Sequence, residues 1–139
     1  MSTTRVNTVR LQTMVKGFWE SAALMSGVEL GLFTAISKGH NTVESAATAL
    51  GIEVENAERL MTALTAMTLL ERDGDSFTNA ADVERFLVEG ASSYAGPWML
   101  FGKPAWNEWG NLTEHLRQPR SEQKVLGKYD DTLTVENAR

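Results

Sequence analysis

Few side chains in this sequence are suited to chemistry, and they are scattered. His40 and His115 are the only histidines, 75 positions apart, one in a glycine-flanked turn and one on a polar helical face. Catalytic or metal-binding histidines need companions within reach, and neither has any at helical or loop spacing, so both read as ordinary surface residues. Glu108 and Glu114 are not at one-face spacing and read as part of a solvated face. Cysteine is absent, which removes disulfides and thiolate chemistry, and no Ser-His-Asp or Cys-His ordering can be assembled. No catalytic residue and no metal site are therefore expected. The dense feature is aromatic: Trp98, Phe101, Trp106 and Trp109 fall within twelve residues. Such rings can simply fill a core, or they can line a groove that takes a flat aromatic ligand by stacking and apolar burial.

The elements that must carry these residues are mostly helical. Over residues 6–26, Leu11, Met14, Val15, Phe18, Ala22 and Met25 recur at spacings of three and four, and Trp19, Ala23 and Leu24 add apolar surface off that face. A helix apolar on more than one side needs a second partner, either a larger core or another subunit. Gly27 predicts a break there, and Leu30, Phe33 and Ile36 anchor a short helix ending near Gly39. Thr42 or Asn41 is the expected cap of a helix ending at Gly51, and a second helix follows with Ala57, Leu60, Met61, Leu64 and Met67 facing inward. Then comes "LLERDGDSFTNA", in which two strand-like runs flank Asp73-Gly74-Asp75-Ser76, a strong hairpin signal. Two short helices and a hairpin predict a winged helix-turn-helix. Asn79 is the expected cap of the next helix, and Pro104 the expected start of a Trp-bearing one that ends before Pro119.

A winged helix commonly reads DNA, but the charge here opposes it. Residues 41–90 hold ten Asp/Glu against three Lys/Arg, whereas residues 1–40 hold four Lys/Arg against two Asp/Glu. A duplex binder makes on the order of 6–10 phosphate contacts, and this segment offers only Arg59, Arg72 and Arg85. No nucleic acid partner is expected; a DNA-binding transcriptional regulator stands as the alternative, together with a free-standing small-molecule-binding protein. "MSTTRVNTVR" lacks an apolar leader, and no run approaches the roughly 18 apolar residues of a membrane span. No membrane association and a cytoplasmic location are expected.

The ordered set "GVELGLFTAISKG", "TVESAATALGI", "RLMTALTAMTLLERDGDSFTNA" and "PAWNEWGNLTEHLR" resembles the N-terminal dimerisation domain of bacterial and plant small-molecule O-methyltransferases, over roughly residues 8–118. The resemblance implies a mainly α fold: a winged-helix core with one small hairpin, flanked by N- and C-terminal dimerisation helices. It implies dimerisation helices over 1–40, the winged-helix core over 41–90, Trp-rich helices over 91–118, and a polar tail or linker over 119–139 toward a catalytic domain that the chain lacks. It implies a homodimer through the N-terminal helices and an aromatic or phenolic acceptor. That acceptor would lie against Trp98, Phe101, Trp106 and Trp109, with Met14 and Phe18 reaching the neighbouring subunit's groove.

The resemblance also implies S-adenosylmethionine for a full-length parent, held by a glycine-rich turn in a second domain. Here no two of the eleven glycines are separated by a single residue, and no strand-helix-strand alternation occurs. No cofactor is expected on this chain, and the chain alone is expected to be inactive.

Overall fold

The computed structural model describes residues 5–119, and all that follows concerns these. They fall into two compact units divided between Met99 and Leu100. The first contains α1 (Val9–Val15), α2 (Gly17–Leu30), α3 (Leu32–Ser37), α4 (Val43–Leu50), α5 (Val54–Ala66), β1 (Leu70–Asp73), β2 (Ser76–Asn79), α6 (Ala81–Phe86) and α7 (Gly96–Met99). The second contains a 3-10 turn (Lys103–Ala105), α8 (Trp106–Gly110) and α9 (Leu112–Arg117). The architecture is the mainly helical one with a single small hairpin that the pattern predicts.

The core of the first unit is built around α3, where Leu32, Phe33, Thr34, Ala35 and Ile36 are all buried. Val28 of α2, Ala46 and Ala47 of α4, Ala57, Met61 and Leu64 of α5, Leu70 and Phe77 of the hairpin, and Val83 of α6 close around it. Leu60 and Met67, expected inside, are only half-buried.

Local chemistry sets the boundaries. The Thr42 hydroxyl accepts from the Ser45 amide at 3.2 Å, capping α4 as expected. Gly39 and Gly51 end α3 and α4 with φ of 103° and 70°, a region costly for any residue with a Cβ. The helix-turn-helix is α4, the turn at Gly51, and α5. The wing pairs Leu70 with Asn79 and Asp73 with Ser76 in an antiparallel ribbon. Only Gly74 of its two turn residues has positive φ (60°), which is the type II′ pattern.

Three local expectations are corrected. The predicted helix over 6–26 is two helices that part at Lys16, and no break occurs at Gly27. Gly27 lies inside α2 because the Phe33 ring packs against it: a Cβ there would stand 2.8 Å from two ring carbons. The turn comes instead at Gly31, where φ is 75°. Asn79 does not cap α6; Ala80 occupies that position. The Asn79 side chain turns inward, donating to the Phe33 carbonyl at 2.8 Å and to the Glu84 carboxylate at 2.7 Å. Of the predicted tail over 119–139, all but Pro119 lies outside the described residues.

Two predictions arise from this packing. Thr68 follows α5 with φ of 62°, the one non-glycine residue in the left-handed region among those described. That conformation costs a β-branched residue about 1–2 kcal/mol, and glycine would recover part of it at the expense of a floppier unfolded chain. Thr68→Gly should therefore raise stability by roughly 0.5–1 kcal/mol. Thermal melts check this, and a lowered Tm would refute it. Glu84 also accepts from the Ser37 hydroxyl at 2.5 Å. The hydrogen bonds from Ser37 and Asn79 hold its carboxyl below the ordinary value of 4.5. Its contribution is complete above that value and drains away as pH falls through the folded pKa. Denaturant midpoints should drop more steeply below about pH 4.5 in the wild type than in Glu84→Gln; parallel profiles would refute the role.

Candidate functional site

The first unit leaves a long apolar surface uncovered at its N-terminal end. Every residue from Arg5 to Glu20 is exposed, so neither α1 nor the first turn of α2 buries a side chain. Val9, Leu11, Met14, Val15, Phe18 and Trp19 each expose between 54% and 70% of their surface. The Phe18 and Trp19 rings meet edge to face at 5.6 Å, forming a two-ring ridge. Further along α2, Ser21, Ala22, Ala23, Leu24 and Met25 are half-buried, and the first fully buried residues are Gly27 and Val28. α2 has no consistent polar face, and an apolar strip this size on a monomer marks an interaction surface. Three cations, Arg5, Arg10 and Lys16, line the same stretch with no acid before Glu20.

The residues expected to form a groove divide between the two units. Met14, Phe18 and Trp98 belong to the first, and Phe101, Trp106 and Trp109 to the second. Trp98, on α7, is the most open aromatic, 77% exposed. In the second unit Phe101, Trp106, Trp109 and Leu116 are exposed, while Ala105, Glu108, Leu112 and His115 form the half-buried stripe. The tryptophans therefore face away from that unit's better-covered side. Trp106 and Trp109 share α8, but the continuous helix expected through Leu116 is interrupted at Asn111. Glu108, expected on a solvated face, has one carboxylate oxygen shielded from solvent and without a hydrogen-bond partner among the described residues. Trp19 is the aromatic that face counting undervalued, because it falls outside the spacing of three and four.

The outer face of the wing region opposes a polyanion. Glu55, Glu58, Arg59 and Thr62 line an open depression of about 680 Å³ on α5. Arg72 is exposed but folds back on its own hairpin: its Nε donates to the Gly74 carbonyl at 2.8 Å and its guanidinium sits 5.0 Å from the Phe77 ring centre. Glu71, Asp73 and Asp75 stay exposed beside it. His40 is exposed and within 2.9 Å of the Ser45 hydroxyl. No three His, Cys, Asp or Glu among the described residues are grouped to hold a metal. No helix among them is long and apolar enough to cross a membrane. S-adenosylmethionine does not fit them either. Their single sheet is a two-stranded antiparallel ribbon. Their positive-φ glycines (Gly31, Gly39, Gly51, Gly74 and Gly90) follow helices, the hairpin turn and a loop, and none leads from a parallel strand into a helix.

Comparisons with known proteins agree with this geometry. A family profile described as the O-methyltransferase dimerisation domain matches residues 12–89. An N,N-dimethyltransferase of Streptomyces rimosus is 36% identical over 109 residues, covering 78% of this chain and 32% of the relative. A 3-hydroxy-5-methyl-1-naphthoate 3-O-methyltransferase of Streptomyces sahachiroi is 33% identical over 108 residues, covering 77% and 31%. The solved structure of an O-methyltransferase family protein from Burkholderia thailandensis superposes with a TM-score of 0.71 at 31% identity, covering 83% of this chain and 34% of that one. The chain thus spans about a third of the length of the curated relatives it matches. With the family profile running from within α1 to just past α6 and the fold it describes in place, the chain belongs to the O-methyltransferase dimerisation-domain family.

Proposed function

We propose that this chain is the dimerisation and acceptor-pocket part of an S-adenosylmethionine-dependent methyltransferase acting on an aromatic, phenolic small molecule. The observation that carries the reading is the uncovered apolar surface from Val9 to Trp19 in a member of a dimerisation-domain family. A second copy is the partner that covers it, forming a homodimer through α1 and α2. An intertwined contact of this kind buries roughly 2,000 Å² or more, the obligate class. The four-part division of the chain at residues 40, 90 and 118 belongs to the same reading.

The acceptor pocket rests on the exposed aromatics. Phe101, Trp106 and Trp109 of the second unit keep exposed faces that suit a planar ligand, and Trp98, Met14 and Phe18 of the first unit are exposed as well. The naphthoate named for one relative supports the aromatic class, while another relative is named an N,N-dimethyltransferase. This chain's own residues bind and orient the acceptor and exclude water from it. Methyl transfer takes place on a further domain that holds the cofactor. A cytoplasmic location belongs to the same reading, and the cysteine-free sequence is compatible with it.

Sedimentation at micromolar concentration should give twice the chain mass for the wild type and a single chain for Phe18→Asp, which places a charge in the apolar contact. A monomeric wild type would sink the reading. A hydroxynaphthoate should quench tryptophan emission, and Trp109→Ala should weaken the apparent affinity by up to about tenfold, the worth of one aromatic stack. No quenching, or an unchanged affinity in the variant, would remove the acceptor role.

A further inference from the structure

α1 is a helix without visible means of support in its own chain. It has seven residues and buries none of them. The helical stretch continues uncovered through Glu20. Isolated helices shorter than about 12–15 residues are marginal in water even with alanine-rich sequences. This one carries β-branched Val9, Thr13 and Val15, has no acid in its first turn and no base in its last, and runs into Gly17. Its local support is small: the Asn7 side chain accepts from the Val9 amide at 3.0 Å, and Gln12 donates to the Thr8 hydroxyl at 2.7 Å. Against this stand six exposed large apolar side chains that are lined up only when the helix is formed.

We infer that the arm formed by residues 9–20 folds into helix only against a second copy of this chain, so that dimerisation and arm folding are one event. The inference rests on the homodimer reading and goes beyond it. A second copy is favoured by the family, whose matched region begins within α1, and by charge. Arg5, Arg10 and Lys16 bring three cations and no acid across residues 5–16, whereas residues 41–90 carry ten acids against three bases. An arm of one sign and a body of the other attract between copies and steer their encounter. The free chain then has a frayed arm, and the dimer's affinity is lowered by the cost of ordering two arms. Anything that stabilises or melts the arm helix shifts the monomer–dimer balance.

Gly17 provides the test, because it joins α1 to α2. Its φ is not in the left-handed region, and an added Cβ would meet nothing within 4 Å, so alanine fits there. Gly17→Ala favours helix across the joint in both copies without touching an apolar anchor. With the full chain, dilution sedimentation should show the Gly17→Ala dimer dissociating at a Kd about tenfold or more below that of the wild type. A Kd left unchanged or raised would overturn the inference, since an arm already helical in the monomer gains equally in both states. Hydrogen exchange supplies the second readout. Amides of residues 9–16 should be protected where the dimer prevails and exchange at unstructured rates where dilution leaves monomer. Protection persisting in the monomer overturns coupled folding while leaving the homodimer intact; a chain that never dimerises removes both.

Discussion

Burial of α3 on every side is the constraint from which the rest of the first unit follows. A six-residue helix with five consecutive buried residues has no solvent face, so its neighbours must surround it and must also satisfy its polar groups. They do so from distant parts of the chain. Asn79 donates to the Phe33 carbonyl, the Glu89 amide donates to the Thr34 hydroxyl at 3.0 Å, and the Ser37 hydroxyl donates to Glu84. The hairpin and α6 are thereby locked to α3 by hydrogen bonds as well as by Phe77 and Val83. The Phe33 ring fixes the remaining side, because it reaches the bare backbone of Gly27 and touches the space beside Leu64. An alanine at 27 would force that ring away from α2.

The same constraint explains why the N-terminal end is left over. The core is filled by residues between Gly27 and Leu87, and the apolar side chains upstream of Ser21 find no place in it. Leu11, Phe18 and Trp19 are thus not surplus core residues that missed their target. Phe18 and Trp19 sit on the outer part of α2, whose inner end holds the Gly27–Phe33 contact, and Leu11 sits on α1 beyond it. A sequence that keeps large apolar groups on such an extension must have another surface to put them on, because exposing them otherwise invites aggregation.

How much of this was legible in the sequence depends on whether the cause is local. The hairpin at Gly74, the Thr42 cap and the stops at Gly39 and Gly51 were legible, since each needs a residue type at one place and the reason acts within a few residues. The reason for Gly27 is tertiary: propensity marks it as a break, while the Phe33 ring makes it a packing position within an unbroken helix. Asn79 looks like a cap for the same reason, and only the buried carbonyl of Phe33 draws it inward. Thr68 is hidden altogether, because a β-branched residue is the last one a turn rule would place at positive φ. Along the N-terminal helices, periodicity puts Met14 and Phe18 on one face and leaves the equally exposed Trp19 off it. It could not say that Trp98, Trp106 and Trp109 are exposed, because spacing records a shared face and not what covers it.

The wing carries the last step of the argument. Two helices and a hairpin make a shape that fits a major groove, yet shape without charge gives no hold on a polyanion. Here the outer face of α5 presents Glu55 and Glu58 around Arg59, and the hairpin spends Arg72 on Phe77 and the Gly74 carbonyl while leaving its acids in solvent. Those side chains lie outside the packing of α4 against α3 and of α5 against α2 and α4. The module is a rigid block that fixes where α2 emerges and in which direction the apolar arm points. The acidic outer face repels polyanions, and its sign is opposite to that of the arm's cations, as the proposed contact between copies requires.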